Sequence, residues 1–326
     1  MRFSFTNQVI GLAAVVFVAC QHSTAKAGSQ RQHPPIEQTE EQPRNNFGSG
    51  PFTGNATHFD GLGELAGGCG VPQNRLETQN FVALNVQHTP GDYSEGQLRP
   101  LPSHQSHIMG AFENGRNCGR WVRVTIGDFC TGNNNGLPHA GFCHSGGDSP
   151  WVSDQYNGAT LDMIVADSCH DGNAWCRDDA HHLDLSTASL TQFKKNGESM
   201  TDLPNKWGNR RVHWEYVAAP NYSGDIKIGL ARDAQKLWVP LIITHLENGI
   251  HGIEAWVDGQ WKAGQMVSDN GQVFQLPGGA TAPYRVRIYN ANDQLINQGR
   301  VYIFDWPGEC GDRCGANYTP ISYRTE

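Results

Sequence analysis

Basic residues and long amphipathic repeats are both scarce in this 326-residue chain, and each scarcity argues against a class of protein. Basic residues are few, because 24 Lys and Arg stand against 32 Asp and Glu. Such an acidic chain has no electrostatic footprint for nucleic acid. Long amphipathic periodicity is also missing, and short alternating runs are interspersed with Gly (38) and Pro (17) instead. This pattern argues against a helical bundle and favours β-structure.

A long membrane-spanning run is missing from the N-terminus as well. Arg2 precedes a mostly apolar run, Val9 to Ala19, which is too short to span a membrane and is typical of a secretory signal. An A-x-A site ending at Ala27 predicts cleavage there, so residues 1–27 are the predicted signal peptide. A poor lipoprotein box ending at Cys20 is the alternative, and it would anchor the protein through a lipid. We therefore expect a secreted, extracellular protein, with no membrane contact unless Cys20 is lipidated.

The segment that follows the predicted signal lacks core-forming residues. Residues 28–50 are polar and rich in Pro, Gln and Glu, which predicts a disordered linker. Residues 1–27 contain two basic and no acidic residues, so the cleaved chain has 22 basic and 32 acidic residues and a net charge of −10. An anionic polysaccharide would be repelled by this charge. A neutral polysaccharide is the compatible partner.

Cysteines indicate an oxidising compartment. Besides Cys20, eight cysteines remain, and an even set in an exported chain predicts four disulfides. Spacing leaves their connectivity open, although Cys310 and Cys314 lie close enough to pair. Zinc is the alternative, because His139, Cys143 and His144 lie close together, but no paired CxxC motif supports it. We therefore expect no metal and no cofactor. The eight cysteines are Cys69, Cys118, Cys130, Cys143, Cys169, Cys176, Cys310 and Cys314.

The length beyond the linker suits two β-domains. The first is predicted over residues 51–220, and it reads as a small disulfide-stapled barrel or sandwich. The second is predicted over residues 223–306, where runs such as YRVRIYN alternate cleanly and favour an antiparallel β-sandwich. Residues 307–326 form a C-terminal tail of open purpose.

Two carboxylates flank a cysteine-closed loop in the first domain. An apolar run ends at Asp167, Trp175 lies at the edge of the loop, and Asp184 stands between two leucines in HHLDLS. Acids held on stapled β-structure beside an aromatic side chain suggest the floor of a polysaccharide cleft. An equally open alternative is that Asp184 caps a following helical turn.

This stretch resembles the expansins, whose barrel domain has a cysteine-bearing loop followed by an HFD motif, here HLD. Four further matches occur in order along the chain, over about residues 51–305. The matching segments are NATHFDG, GGCGVPQN, FENGRNCGRWVRVTI, VADSCHDGNAWC with HHLDLSTASL, and NRRVHW.

The resemblance implies an all-β fold, with a six-stranded double-psi β-barrel followed by an immunoglobulin-like antiparallel β-sandwich. It implies binding of cellulose or another neutral β-glucan, and non-hydrolytic loosening of plant-type cell walls. Expansin barrels are similar to those of family-45 endoglucanases, in which the HFD aspartate is the acid and a second aspartate is the base. Expansins lack that base.

The resemblance assigns three residues to a site of the catalytic type on the barrel. Asp184 matches the acid, Asp167 a strand-end aspartate, and Thr57 the threonine of the family's opening motif. His182 and His58, in the same two segments, are predicted to contact polysaccharide. Asp60 stands one residue out of register with the endoglucanase base, and a shift of one residue on a strand turns a side chain to the other face.

Aromatic side chains provide the implied platform for a glucan. Trp238 falls where the family's line of aromatics begins, and Trp256 and Trp175 are further predicted contacts. Trp261 is predicted as a core residue, and the third position of the line is Asp269 or Asn270. Two alternatives to a wall-loosening monomer stay open. One is an endoglucanase or lytic transglycosylase on the same barrel, and the other is a carbohydrate-binding adhesion protein.

Overall fold

The computed structural model describes residues 50–63, 65–94, 98–133, 142–144, 150–169 and 172–326. The predicted signal peptide, the linker up to its last residue, Cys20 and His139 lie outside the described residues. The described residues belong to one compact unit.

Ten strands, several of them short, make up the first half of this unit. Among the described residues the α-helix is α1, Ala174–Asp178, and the other helical segments are 3-10 helices of three to six residues. The strands are β1 Phe52–Phe59, β2 Phe81–Asn85, β3 Trp121–Ile126, β4 Phe129–Cys130, β5 Trp151–Val152, β6 Thr160–Cys169, β7 Leu183–Ser186, β8 Lys194–Lys195, β9 Glu198–Ser199 and β10 Arg211–Val217. The 3-10 helices in the part of the chain that the structure describes are Gln73–Arg75, Ser103–Ile108, Glu113–Gly115, Thr187–Thr191, Leu203–Lys206, Ile296–Gly299 and Gly308–Cys310.

Six of these strands close into a barrel. Their order is β2-β7-β1-β10-β3-β6, and β6 pairs back with β2. The β1–β7 and β2–β6 pairs are parallel and the other four are antiparallel. Closure leaves no free edge in this part of the sheet. The predicted six-stranded barrel is confirmed.

The barrel core follows from strand alternation. In β3 the side chains of Val122, Val124 and Ile126 are buried inside, while Arg123 between them is exposed. In β7 Leu183 and Leu185 enter the same core, so Asp184 points to the other face. Each buried aliphatic side chain contributes about 1.5–3 kcal/mol of hydrophobic stabilisation.

An antiparallel sandwich follows the barrel, as predicted. One sheet has the order β15-β16-β12-β11-β19 and the other β14-β13-β17-β18-β20. In β17 Tyr284, Val286 and Ile288 face the core between the sheets, whereas Arg285 and Arg287 stay partly exposed. The strands are β11 Lys227–Ala231, β12 Pro240–Thr244, β13 Gly252–Val257, β14 Gln260–Ala263, β15 Gln265–Met266, β16 Val273–Gln275, β17 Tyr284–Tyr289, β18 Tyr302–Phe304, β19 Tyr318–Pro320 and β20 Arg324–Thr325.

The C-terminal residues 307–326 contribute to both sheets. Strand β19 pairs with β11 and strand β20 pairs with β18. The sandwich strands therefore extend beyond residue 306, where the sequence pattern placed the end of the domain. Local patterning missed these strands because each is only two or three residues long and is held by its partner.

Apolar side chains also join the barrel to the sandwich. Phe81, Trp121 and Ile164 of the barrel pack in one cluster with Ile242 and Tyr318 of the sandwich. Strand β12, PLIIT, is buried on both faces for this reason: Leu241 and Ile243 enter the sandwich core, and Ile242 meets the barrel. A continuous apolar run is typical of a strand that is covered on both faces.

Four disulfides lie among the described residues, which supports the predicted framework. Because Cys169, Cys176 and Cys143 are oxidised, they offer no thiolate to zinc, although Cys169 and Cys176 lie within 4.8 Å of a ring nitrogen of His182. The pairs are Cys69–Cys118, Cys130–Cys143, Cys169–Cys176 and Cys310–Cys314.

Candidate functional site

Four neighbouring barrel strands bring Asp167, Ala83, Asp184 and Thr57 into one row. Ala83 on β2 stands opposite Asp184 on β7 and opposite Asp167 on β6, and Asp184 pairs with Thr57 on β1. We call these four residues the acidic row. Three of its members were singled out from the sequence, and the small Ala83 between the two acids was not.

A β-bulge places Asp167 in the acidic row. Along the β2–β6 pair, Val82 stands opposite Val165, but the next residue, Ala83, stands opposite Asp167, so Ala166 is the extra residue. In a regular ladder Ala166 would face Ala83 and Asp167 would be displaced by one position. Bulges commonly redirect a side chain next to a functional site. The side chain of Ala166 is instead buried against the sandwich.

A chain of hydrogen bonds holds Asp184. The Thr57 hydroxyl donates to Asp184 Oδ1 at 2.8 Å, and it lies 2.9 Å from His182 Nε2. A hydroxyl has one proton, so His182 must be the donor in the second contact and carries its proton on Nε2. Full burial lowers the pKa of His182 to about 4, which keeps the ring neutral near pH 7. His182 therefore orients Thr57 and has no surface that could stack on a sugar.

The surroundings of Asp184 favour the protonated form of its carboxyl group. Its pKa is raised to about 6, mainly by burial, against the hydrogen bond from Thr57 and with a further contribution from the charge of Asp167. Below about pH 6 the side chain therefore carries a proton. It can then donate a hydrogen bond to a glycosidic or hydroxyl oxygen.

Asp167 is anchored by the backbone. Its Oδ1 accepts N–H groups from Gly68 at 2.5 Å and from Ser168 at 2.8 Å. Burial raises the pKa of Asp167, and these two bonds and the nearby charge of Arg99 oppose that rise. Glycine is required at position 68, because a Cβ there would lie 2.4 Å from Ser168 Oγ.

Arg99 connects this end of the row to the sandwich, and the sequence provided no signal for it. Its Nη2 donates to Ser168 Oγ at 3.0 Å, and its Nε lies 2.7 Å from Asp269 Oδ2. Asp269 is 6% exposed. The position where an aromatic side chain was sought is therefore occupied by a buried carboxylate that is paired with an exposed arginine.

Other predicted contact residues are not members of the acidic row. His58 follows Thr57 on β1 and is exposed, its Nδ1 lies 2.9 Å from Thr187 Oγ1, and its ring meets the edge of Trp207. Alternation turns it to the face opposite Thr57. Asp60 accepts the Thr187 hydroxyl at 3.1 Å and so belongs with His58. Trp175 is half-buried on α1, beside the Cys169–Cys176 disulfide.

The sandwich tryptophans do not share one sheet. Trp238, 40% exposed, lies in the loop between β11 and β12, whereas Trp256, 43% exposed, lies on β13 of the other sheet. Trp261 pairs with Trp256 across β13 and β14 and is half-buried there, with the Arg287 guanidinium 4.5 Å from its ring centroid. The prediction that Trp261 belongs to the core is wrong, because its position on β14 places it on the outer face.

A closed six-stranded barrel followed by an antiparallel sandwich is the architecture that the resemblance to the expansins implies. Among solved structures, the apo expansin of Clavibacter michiganensis is similar at a TM-score of 0.47 and 17% identity, over 83% of this chain and 95% of that chain. A mutant of that expansin in complex with cellohexaose has the same TM-score and identity, over 83% and 96% of the two chains. No family model and no curated protein matches the chain. Within the described residues, no helix has the length and apolarity needed to cross a membrane.

Proposed function

We propose that this protein is a secreted, expansin-like protein that binds cellulose or a similar neutral β-glucan and loosens plant-type cell walls without hydrolysis. The observation that carries the proposal is the acidic row. It presents Asp184, which is protonated below about pH 6, and a backbone-anchored Asp167 on one face of the barrel, two strands apart.

The chemistry of the row suits hydroxyl-rich, uncharged chains. A protonated Asp184 donates a hydrogen bond, and the free lone pairs of Asp167 accept one, so neighbouring hydroxyls of a glucan can satisfy both. An anionic polysaccharide would meet two carboxyl groups on a chain with net charge −8. A neutral glucan is therefore the favoured substrate class.

Loosening follows from competition for hydrogen bonds. Glucan chains in a wall adhere through many weak contacts. A protein that offers a matched donor and acceptor can replace the contacts of one chain segment with its own. Thr57 and His182 keep Asp184 in place while this exchange occurs. No covalent bond needs to break.

Hydrolysis is disfavoured by the placement of the acids. An inverting glycosidase needs an acid on one side of the bond and a base that reaches water on the other, with the carboxyls roughly 6.5–9.5 Å apart. Asp167 rises from the same barrel face as Asp184, and Asp60 is bound to Thr187 beside His58. Loss of general base assistance typically lowers a rate about 10²–10⁴-fold.

An endoglucanase on the same barrel is the second candidate, and the raised pKa of Asp184 favours it, since a general acid needs such a value. Two assays separate the candidates. One measures creep of stretched, heat-inactivated plant walls, and the other measures release of reducing ends from swollen cellulose, xyloglucan and mixed-linkage glucan. We expect creep without sugar release.

The variant Asp184→Asn should abolish creep, and Asp162→Asn is the matched control. Asp162 lies on β6 but is paired with Arg123 in a half-exposed ion pair outside the row. Sugar release that vanishes in Asp184→Asn would establish the endoglucanase. Cellulose binding without any creep in the unmodified protein would point to an adhesion protein.

A further inference from the structure

A cation stands next to the acidic row, at the end that Asp167 occupies. The Arg99 guanidinium donates through Nη2 to Ser168 Oγ at 3.0 Å, and the backbone N–H of Ser168 donates to Asp167 Oδ1 at 2.8 Å. A single residue therefore links the guanidinium to the carboxyl group. Burial raises the pKa of Asp167, and the charge of Arg99 is among the contributions that lower it.

Contacts outside the row hold Arg99 in this place. Its Nε donates to Asp269 Oδ2 of the sandwich at 2.7 Å, and its guanidinium carbon lies 5.7 Å from the centroid of the Phe112 ring. Two residues further on, Leu101 exchanges two hydrogen bonds of 2.8 Å with the side chain of Asn114. The side chain of Arg99 is 30% exposed, yet it is fixed on several sides.

The sandwich loop that contains Asp269 packs tightly on the barrel. A Cβ at Gly115 would collide with the backbone oxygen of Asp269, and a Cβ at Gly271 would collide with the backbone oxygen of Gly115. Two backbones approach this closely only where glycine lacks the side chain. Asp269 therefore offers Arg99 a partner that is itself immobilised on the barrel.

The two acids of the row differ in what stabilises their ionised forms. Asp167 Oδ1 accepts two backbone N–H groups and has the charge of Arg99 nearby. Asp184 accepts one hydroxyl, from Thr57, and it faces the negative charge of Asp167. Like-charged carboxylates in one partly buried row resist ionising together, so over a range of pH they hold one proton between them. The difference in partners favours that proton on Asp184.

Charged groups that face Asp167 come from three neighbouring elements. They are Asp184 on β7, Arg99 in the segment before Leu101, and Asp269 in the sandwich loop, whose negative charge offsets part of the effect of Arg99. Strand β2, FVALN, lies between the two acids and contains no titratable residue. Among the described residues that face Asp167, Arg99 therefore supplies the positive charge.

We propose that Arg99 is a positioning residue that keeps the single proton of the acidic row on Asp184 and leaves Asp167 as the acceptor. This inference deepens the proposed function and rests on it, because a fixed donor beside a fixed acceptor is what neighbouring glucan hydroxyls require. Without Arg99 the two carboxyl groups compete for the proton, and the order of donor and acceptor is lost. The row is then competent only between the pH at which Asp167 ionises and the pH at which Asp184 loses its proton.

Carboxyl ¹³C NMR on the full chain follows both titrations directly, with Asp167→Asn and Asp184→Asn assigning the two signals. In Arg99→Gln we expect the titration midpoint of Asp167 to rise by about half a pH unit or more, toward that of Asp184. Arg99→Lys keeps the charge and should show a smaller rise. Arg123→Gln is the matched control, because Arg123 forms a half-exposed pair with Asp162 outside the row.

Ser168→Ala tests the geometry without a change of charge. This variant removes the hydroxyl that accepts from Arg99 and keeps the backbone N–H that donates to Asp167. We expect the midpoint of Asp167 to rise, but by less than in Arg99→Gln. The comparison keeps the test decisive where loss of the arginine disturbs the fold.

Creep of stretched, heat-inactivated walls from pH 3 to pH 7 measures the consequence for function. Arg99→Gln should narrow the active range from its acid side, while the upper limit, set by Asp184 at about pH 6, stays in place. Arg123→Gln should keep the profile of the unmodified protein.

Three results would overturn the proposal. The first is an equal midpoint of Asp167 in Arg99→Gln and Arg123→Gln. The second is an equal rise in Arg99→Lys and Arg99→Gln, which would trace the effect to packing rather than to charge. The third is an acid limit of creep that stays in place although the Asp167 midpoint moves. The NMR titration needs no wall, so a protein that lacks creep still reveals where the proton resides, and the two failures are distinguishable.

Discussion

Replacing Asp184 by Asn should change how the stability of the protein depends on pH. The folded protein holds the pKa of Asp184 at about 6, whereas an unfolded aspartate has a pKa of about 3.9. When the pH lies between these two pKa values, the folded state binds one more proton at Asp184 than the unfolded state does. Stability from this group is therefore greatest below about pH 4, and it is lost as the pH rises through 6. Asparagine does not titrate, so the variant is free of this loss.

The size of this loss of stability follows from the shift in the pKa of Asp184. A difference of about two pKa units corresponds to about 3 kcal/mol at 1.36 kcal/mol per unit. His182 acts in the opposite direction, because its pKa is lowered to about 4 in the folded state and its contribution to stability grows as the pH rises from 4 to 6.5. The contributions of Asp184 and His182 therefore nearly cancel over this range. The diagnostic quantity is the difference in unfolding free energy between variant and unmodified protein.

Urea unfolding at half-unit steps from pH 4 to pH 7 measures that difference. We expect Asp184→Asn to gain about 3 kcal/mol relative to the unmodified protein across the range. Asp162→Asn is the matched control, because Asp162 is paired with Arg123 outside the acidic row. A pH-independent difference for Asp184→Asn would refute the argument that burial holds a proton on this side chain.

The other predictions concern the contacts of the site. Thr57→Val removes a hydrogen bond to Asp184 and should raise the pKa of Asp184 by about one unit or more, as measured by carboxyl ¹³C NMR; an unchanged pKa would contradict the assigned donor. Trp238→Ala should weaken cellulose binding by about 1–3 kcal/mol in pull-down isotherms, and unchanged isotherms would move the binding surface elsewhere. Gly68→Ala should lower the free energy of unfolding by more than about 1 kcal/mol. Gly278→Ala should not, because an added Cβ at that position would meet nothing within 4 Å. Equal melting temperatures of the two variants would show that the close approach at Gly68 is relieved.

Local sequence patterns were sufficient for the class of the fold. Alternation in WVRVTI and YRVRIY assigns one face of each strand to a core, since side chains on a strand alternate strictly. The HHLD segment likewise directed attention to Asp184, because the flanking leucines must point inward. An even number of cysteines indicated disulfides before any pairing was known.

The arrangement of the candidate site depends on how the strands pair in the folded protein. Whether Asp167 shares a row with Asp184 depends on the extra residue Ala166, and a bulge arises from how two strands pair, which no single segment encodes. His58 is different, because alternation along β1 alone turns it away from Thr57.

The sequence by itself determined the alternating strands, the exported, disulfide-bonded character that we expect, and the candidate acid. Only the tertiary structure decided the cysteine pairs, the strands contributed by residues 307–326, and the contact of Arg99 with Asp269. The physical reason is the range of the interactions. Alternation and turn chemistry act between neighbours in the chain, whereas Arg99 and Asp269 meet because two separately patterned β-structures bury their apolar faces against each other.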